Sequence, residues 1–262
     1  MVADHVSFAR ALVATNVKAT LALRGAFVIQ VVFMALNNFA FFVFWWVLMG
    51  HVTTLRGWRL GDIQLLYGMV ACAFGLTVTV AGGVRHLSRF IDDGDLDTLL
   101  TQPKSVLVHA LGMRAQPSGL GDLISGLIFI VWSGQISWPT MPFVLIVVIA
   151  SALVFAACGV IFFSLAFWLG RVETVATQLW DLLVMFSLYP EPLFGGTLRL
   201  VLFTVLPAGF IGYVPVRIVH APSLVNAMSL LVVAIAYVWL AVLIFDRGLR
   251  RYASGSRFTT FG

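Results

Sequence analysis

Apolar positions in this chain fall into long uninterrupted blocks, and charged positions collect in the short stretches between them. Residues 26 to 49, AFVIQVVFMALNNFAFFVFWWVLM, carry no charge, and neither do residues 63 to 84, IQLLYGMVACAFGLTVTVAGGV. Between Asp122 and Arg171 lie 48 residues without a single Asp, Glu, Lys or Arg. A helix rising ~1.5 Å per residue needs about 20 mostly apolar residues to cross a hydrocarbon core of roughly 30 Å. The first two blocks therefore read as one span each and the third as two. The third is broken at SGQISWPTMP, 133 to 142, where Gly134, Pro139 and Pro142 are turn formers, predicting spans at 118–136 and 143–169. Residues 173–189 read as a fifth span and 223–245 as an intact last one. Between them lie YPEPLFGG, 189 to 196, and an apolar run cut by Pro207, Gly209, Gly212 and Pro215, which no continuous helix accommodates.

Basic residues decide how that interrupted segment is counted, because cytoplasmic loops carry the excess of Lys and Arg. With six spans and a cytoplasmic N-terminus, 12 of the basic residues fall inside and only Arg56, Arg59, Arg199 and Arg217 fall outside. Counting the broken segment as a seventh span would reduce the split to 9 against 7. The expectation is an all-α integral membrane protein formed as one domain over residues 1–262. It has spans near 26–49, 63–84, 118–136, 143–169, 173–189 and 223–245, and both termini in the cytoplasm. Residues 85–117 form a cytoplasmic loop, and 190–222 a re-entrant hairpin on the outer side, packed within the bundle because irregular backbone at membrane depth must be covered.

Composition agrees: 61% of the residues are hydrophobic, 10% are charged and the mean hydropathy is +1.01, so the bilayer must be the solvent. Trp45 and Trp46 at the outer end of span one, Trp138 in the outer turn and Trp168 at the inner end of span four fit interfacial aromatic belts. Residues 1–25 read as an amphipathic interfacial helix, with Phe8, Leu12, Val13 and Leu21 opposing Arg10 and Lys18, and they lack the pattern of a signal peptide. The net charge of +5 is mostly inside bias; without a basic stripe it points to no nucleic-acid partner. Cys72 and Cys158 read as two small buried hydrophobes. The first half holds no counterpart of the broken segment, which argues against an inverted-repeat secondary transporter.

The chemistry starts from absences. No G-x-x-x-x-G-K-[ST] is present, so the chain does not cradle a nucleotide by itself, and neither H-E-x-x-H nor G-x-S-x-G occurs. The five histidines are scattered and imply no metal site. What remains is RHLSRFIDDGDLDTLLTQPKSVL, 85 to 107, which gathers four of the eleven acidic residues. As a calcium loop, Asp93, Asp95 and Asp97 give the alternating ligands, but Thr98 stands where the invariant glycine belongs and Lys104 where the closing glutamate belongs. As a mechanical element it is coherent. Leu87, Phe90 and Ile91 share one helical face, and Leu96, Leu99 and Leu100 another. Gly94 separates the two helices, Asp95 is placed to cap the second, Asp97 suits its positive end, and Pro103 stops it. Such a segment presents charge and an apolar ridge to a partner docking from the cytosol.

The stretch LSRFIDDGDLDTLLTQPKSVLVHALGMRAQPSGLGDLISG, 87 to 126, resembles the permease subunits of bacterial ABC type-2 transporters. A G-x-L-D-x-x-L-x-x-P pattern follows span two in that family, matched here by Gly94, Leu96, Asp97, Leu100 and Pro103, and a Tyr-Pro pair closes span five, matched by Tyr189 and Pro190. The resemblance implies an ATP-driven exporter of the bacterial inner membrane, in which two separate subunits bind ATP and Mg while this chain binds no cofactor. A second permease, the same or a related chain, would complete the path. Arg89, Asp92, Asp93, Gly94, Asp95, Leu96, Asp97, Leu100 and Pro103 would form the ATPase-coupling element, with Arg171 and Glu173 a second contact.

Asn37 and Asn38 in span one and Asp181 in span five are costly at bilayer depth; they predict interhelical bonds or a polar path, with Asp181 turned toward the bundle interior. Together with Tyr189, Pro190, Glu191 and Pro207 they are candidates for the path or its gate, while Glu191, Arg199 and Arg217 face outer water or brace the hairpin. Two rival readings stand beside the permease: a secondary transporter or channel with Asp181 as its ion-coupling group, and a lipid enzyme with a metal in the acidic loop.

Overall fold

The computed structural model describes residues 24–252 apart from 104, 115 and 117, so nearly all of the expected interfacial helix at 1–25 lies outside the described residues. The uncharged first block forms α1 (Arg24–His51), followed by α2 (Leu60–Ala81). A 3-10 turn at Gly82–His86 leads into α3 (Leu87–Asp92), α4 (Leu96–Leu100) and α5 (Val106–Gly112). Then come α6 (Ser118–Trp132), α7 (Met141–Ser164), α8 (Ala166–Leu169) and α9 (Glu173–Ser187). The broken segment contains α10 (Gly196–Val201), a π-helical turn at Gly209–Tyr213 and α11 (Val214–His220), before α12 (Leu224–Leu249).

Local chemistry explains the ends. Asp62 at the start of α2 accepts a hydrogen bond from the Arg59 backbone N–H at 2.7 Å, placing a carboxylate at the positive end of the helix. Ser223 caps α12 by accepting from the Asn226 N–H at 3.5 Å. The predicted break before α7 is a 3-10 turn at Trp138–Thr140, in which the Thr140 hydroxyl accepts from the Ser137 N–H at 2.9 Å.

Among the described residues, four stretches are long and apolar enough to cross a bilayer: Gly25–His51, Leu60–Asp92, Trp138–Leu169 and Leu224–Leu249. The helices at the third and fifth expected spans, α6 and α9, have 15 residues each. They rise about 22 Å, less than the roughly 30 Å of a hydrocarbon core.

Contacts between connections sort the molecule into two ends. At one, Arg56 donates to the Pro192 carbonyl at 2.6 Å, Gln135 donates to Asp62 Oδ1 at 2.6 Å, and His220 meets both Gln135 and Asp62. At the other, Arg89 pairs with Glu173 at 2.6 Å, and Phe167 packs edge-on against Phe245 and Tyr252. The hairpin end thus holds residues 52–59, 133–140 and 188–222, and the loop end holds 82–117, 165–172 and the close of α12. The six main helices α1, α2, α6, α7, α9 and α12 alternate between the two.

α2 is the central element, buried almost continuously from Ile63 to Ala73. Its largest contact is with α6, and glycine makes that contact. A Cβ on Gly75 would sit 2.5 Å from the Gly119 carbonyl oxygen, and one on Gly126 would sit 2.6 Å from Cys72 Sγ and 2.8 Å from the Gly68 oxygen. Gly68 and Gly75 on α2 therefore meet Gly126 and Gly119 on α6, backbone against backbone, the small-residue packing that membrane helices use. On its other side, α6 brings Gly121 against the Val31 carbonyl of α1. α7 packs on α2 and carries α12 on its far side.

The interrupted segment folds down onto the hairpin end of this bundle. Leu202, Leu206, Ala208, Ile211 and Val216 are buried, the Gly209 N–H donates to the Leu202 carbonyl at 2.8 Å, and the Tyr213 hydroxyl donates to the Phe186 carbonyl at 2.6 Å. Its irregular backbone is covered by α2, α7 and α9. One belt expectation is overturned. Trp45 is buried, edge-on to Tyr189 at 5.5 Å, because its ring joins the small core of Phe42, Ile63, Tyr67 and Phe129; Trp46, Trp138 and Trp168 are exposed.

Gly126→Leu would force side-chain atoms into the α2 backbone. Overpacking costs about 1–3 kcal/mol, so the variant should unfold at clearly lower temperature in detergent, by fluorescence-detected melting. Gly50→Ala, whose Cβ meets nothing within 4 Å, should melt like the native chain.

Candidate functional site

Between α1 and α9, with α2 as floor, runs a half-open groove of about 440 Å³. Near the hairpin end it is aromatic. Trp45 and Phe44 come from α1, Tyr67 from α2 and Tyr189 from the end of α9. Phe42, Tyr67 and Phe129 pack behind Trp45 as a separate small core. Phe74 and Trp180 line the middle, with ring centroids 6.0 Å apart. Gly159 of α7 leaves no room for a Cβ beside the Trp180 ring, and the indole N–H of Trp180 is buried without a hydrogen-bond partner. Polar groups collect toward the loop end: Asn37 and Asn38, Asp122, Asp181 and finally Arg85.

The deepest of these polar groups is one the periodicity reading passed over. Asp122 sits in the second turn of α6 and is 2% exposed. Its Oδ1 accepts from the Asn38 amide at 2.8 Å, the same Asn38 nitrogen donates to Ser125 Oγ at 2.8 Å, and the Ser125 hydroxyl donates to the Asp122 carbonyl at 3.1 Å. Asp122 Oδ2 is buried with no hydrogen-bond partner. The signal was available in the sequence: an acidic residue four positions into an apolar span is expensive and marks a site.

Of the residues expected on a path, the structure gathers Asn37, Asn38, Asp181 and Tyr189 on the groove. Asn38 makes the interhelical bonds foreseen for it. Asp181 does not point into the bundle; it is exposed along the groove, because Trp180 and Leu183 take the buried face of α9. Pro190, Glu191 and Pro207 do not line the groove. Pro190 and Pro207 are buried in the turns of the hairpin segment. Glu191 is held by Arg199 at 2.8 Å and Arg217 at 3.5 Å, the bracing arrangement.

At the loop end the two short helices form, and their apolar faces turn inward. Leu87, Phe90, Ile91, Leu96 and Leu99 are buried against the bundle, while Leu100 is exposed. The expected outward apolar ridge is therefore absent, since α7 and α8 cover α3 and α5 packs on α4. Leu96 holds the loop in place and faces no partner. Gly94 takes φ +79°, the left-handed turn that separates α3 from α4. Asp95 has helical backbone and makes no capping hydrogen bond, so the expected cap is not formed. Asp92, Asp93, Asp95, Thr101, Gln102 and Pro103 are exposed, and Asp97 is half-buried. The Asp92 carboxyl is pushed up from its usual range, chiefly by burial and then by Asp93, with Arg171 opposing. Glu173, expected beside Arg171 as a separate contact, instead pairs with Arg89 and ties α3 to the first turn of α9. The guanidinium of Arg114 lies 5.7 Å over the Phe90 ring, pinning the return of the loop.

The family model described as ABC-2 family transporter protein matches residues 35–256, which include the acidic loop and every groove-lining residue but Met34. No curated protein and no solved structure matches the chain.

Asn38→Ala and Asp122→Ala, singly and together, should show that the α1–α6 contact is cooperative. Interhelical hydrogen bonds in bilayers are worth about 0.6–1.7 kcal/mol. A double-mutant cycle on thermal stability should return a coupling of about that size.

Proposed function

The chain belongs to the ABC-2 family of transporters and is a membrane permease, and we propose that it forms half of the translocation path of an ATP-driven exporter. Two separate ATP-binding subunits would dock at the loop end, and a second permease, identical or related, would close the open side of the groove. The observation that carries this reading is the connection between the two sites. The acidic loop on α3 and α4 is joined through Arg89 and Glu173 to α9, and α9 with the turn that follows it supplies Trp180, Asp181 and Tyr189 to the groove.

In this reading the loop end is cytoplasmic, in keeping with the basic residues gathered there, and the protein spans the bacterial inner membrane six times. α6 and α9 are short spans. Each is flanked by polar turns that reach the interface; α6 packs between α1 and α2, and α9 packs on α7 and the π-helical turn. The segment 190–222 is a re-entrant element at the outer mouth, tethered by Glu191 to Arg199 and Arg217 and by Arg56 to Pro192.

Coupling then follows from rigid-body mechanics. Closure of the ATPases around ATP and Mg displaces the exposed carboxylates Asp92, Asp93 and Asp95. The buried faces of α3 and α4 transmit that displacement, because packed apolar surfaces move together. The Arg89–Glu173 pair passes it to the foot of α9. Its two side chains are 59% and 37% exposed, so solvent screens the pair and it acts as a directional tether more than as a source of stability.

Co-purification with the ATP-binding subunit tests the docking surface. Asp93→Lys with Asp95→Lys should abolish association while leaving the melting temperature of the permease within a few degrees. Glu173→Lys should leave the complex assembled but reduce cargo-stimulated ATPase activity severalfold. An ATPase that never associates with the native chain, or a charge reversal without effect on assembly, would remove this reading.

A further inference from the structure

The hydrogen-bond geometry of Asp122 exceeds what helix packing needs. Asn38 joins α1 to α6 by donating to Asp122 Oδ1 and to Ser125 Oγ, so the contact uses a single carboxylate oxygen. An asparagine would serve that contact as well, with an amide oxygen in place of Oδ1. The second oxygen is buried, unpartnered and part of a residue that lines the groove. A carboxyl kept at such depth requires a partner.

The rest of the groove states what kind of partner. Its charged lining residues are Asp122 and Asp181 against Arg85, so its polar belt is acidic in balance. Around that belt stand Phe41, Phe44, Phe74 and Trp180, whose ring faces attract cations and whose area suits an apolar body. A cavity of about 440 Å³ accommodates a drug-sized molecule or the head and first segment of a larger amphiphile.

We propose that the groove recognises amphipathic organic cations, with the positively charged or N–H-bearing head at Asp122, supported by Asp181, and the apolar body among the aromatic rings. This rests on the reading of the groove as the path and adds its cargo class. Anionic amphiphiles would set a negative head against Asp122 and Asp181, with Arg85 as the one basic residue among the described residues of the groove lining to receive it.

Tetraphenylphosphonium and tetraphenylborate have nearly the same shape and opposite charge, which isolates the electrostatic term. Their binding is measured by equilibrium dialysis against the purified chain in phosphatidylcholine nanodiscs, with empty nanodiscs subtracted. The cation should bind saturably and the anion should not. Asp122→Asn, which keeps an acceptor for Asn38, should weaken cation binding about tenfold, the equivalent of about 1.4 kcal/mol. Asp181→Asn breaks no buried bond and should weaken it about threefold, which decides the matter should the Asp122 variant fail to fold. Saturable anion binding, or cation binding indifferent to both substitutions, overturns the proposal. If the cation binds through Asp122 yet neither stimulates the ATPase of the assembled transporter nor is moved by it, the site stands and the path reading falls. If the assembled transporter moves cargo but the cation never binds, the path stands and the cation class falls.

Discussion

Everything in this molecule is arranged around the place where two helix backbones touch. In water, apolar side chains drive helices together; in a bilayer the surrounding lipid is equally apolar, and close packing has to do it instead. α2 and α6 meet that requirement by removing side chains from the contact. Gly68 and Gly75 face Gly126 and Gly119, at distances where a single Cβ would collide with carbonyl oxygens or Cys72 Sγ. Once α6 is drawn against α2, Gly121 lets α1 approach from the other side, and Asp122 and Ser125 come within reach of Asn38. Side chains larger than hydrogen in the seam would push α6 outward and pull this polar triad apart. The floor and one wall of the groove follow from that contact.

The scarce polar residues are used in three separate ways, and location distinguishes them. At the hairpin end they lock connections to one another: Asp62 with Gln135 and His220, and Glu191 with two arginines. At the loop end the carboxylates stand outward in solvent while the apolar residues between them anchor the segment, a division that makes the loop firm and its surface charged. In the groove, a few polar groups sit among aromatic rings with part of their hydrogen-bonding capacity unmet. The third use is the expensive one, since unmet capacity away from water carries a desolvation cost. α9 connects the second use to the third, with Glu173 at one end, Asp181 further along and Tyr189 in the turn after it.

The span pattern was legible because bilayer solvation acts on every residue of a span at once, and 20-odd apolar positions average out local ambiguity. The long helices α1, α2, α7 and α12 lie where the charge-free blocks predict them, and the Gly-Pro cluster after Ser133 breaks the chain as expected. The seam was legible in principle too: Gly68, Gly75 and Gly82 recur every seven residues, as do Gly119 and Gly126. Single residues fared differently. Asp181 was expected inside the bundle and lines its edge, Trp45 was expected at the interface and is buried, and the ridge of α3 and α4 faces inward. In each of these cases the periodicity identified a face, and which neighbour covers that face is absent from the local pattern.

The chain by itself therefore determined its solvent, its helices, the outward-facing acidic segment and the family motifs, all of which depend on neighbours in sequence. Tertiary structure alone decided that Asp122 would meet Asn38, that Glu173 would meet Arg89, and that α1 and α9 would stand apart over α2 with a groove between them. These outcomes depend on how closely helices approach across 84 residues of separation in both cases. That approach is set by the volume of side chains at the contact, which periodicity does not encode.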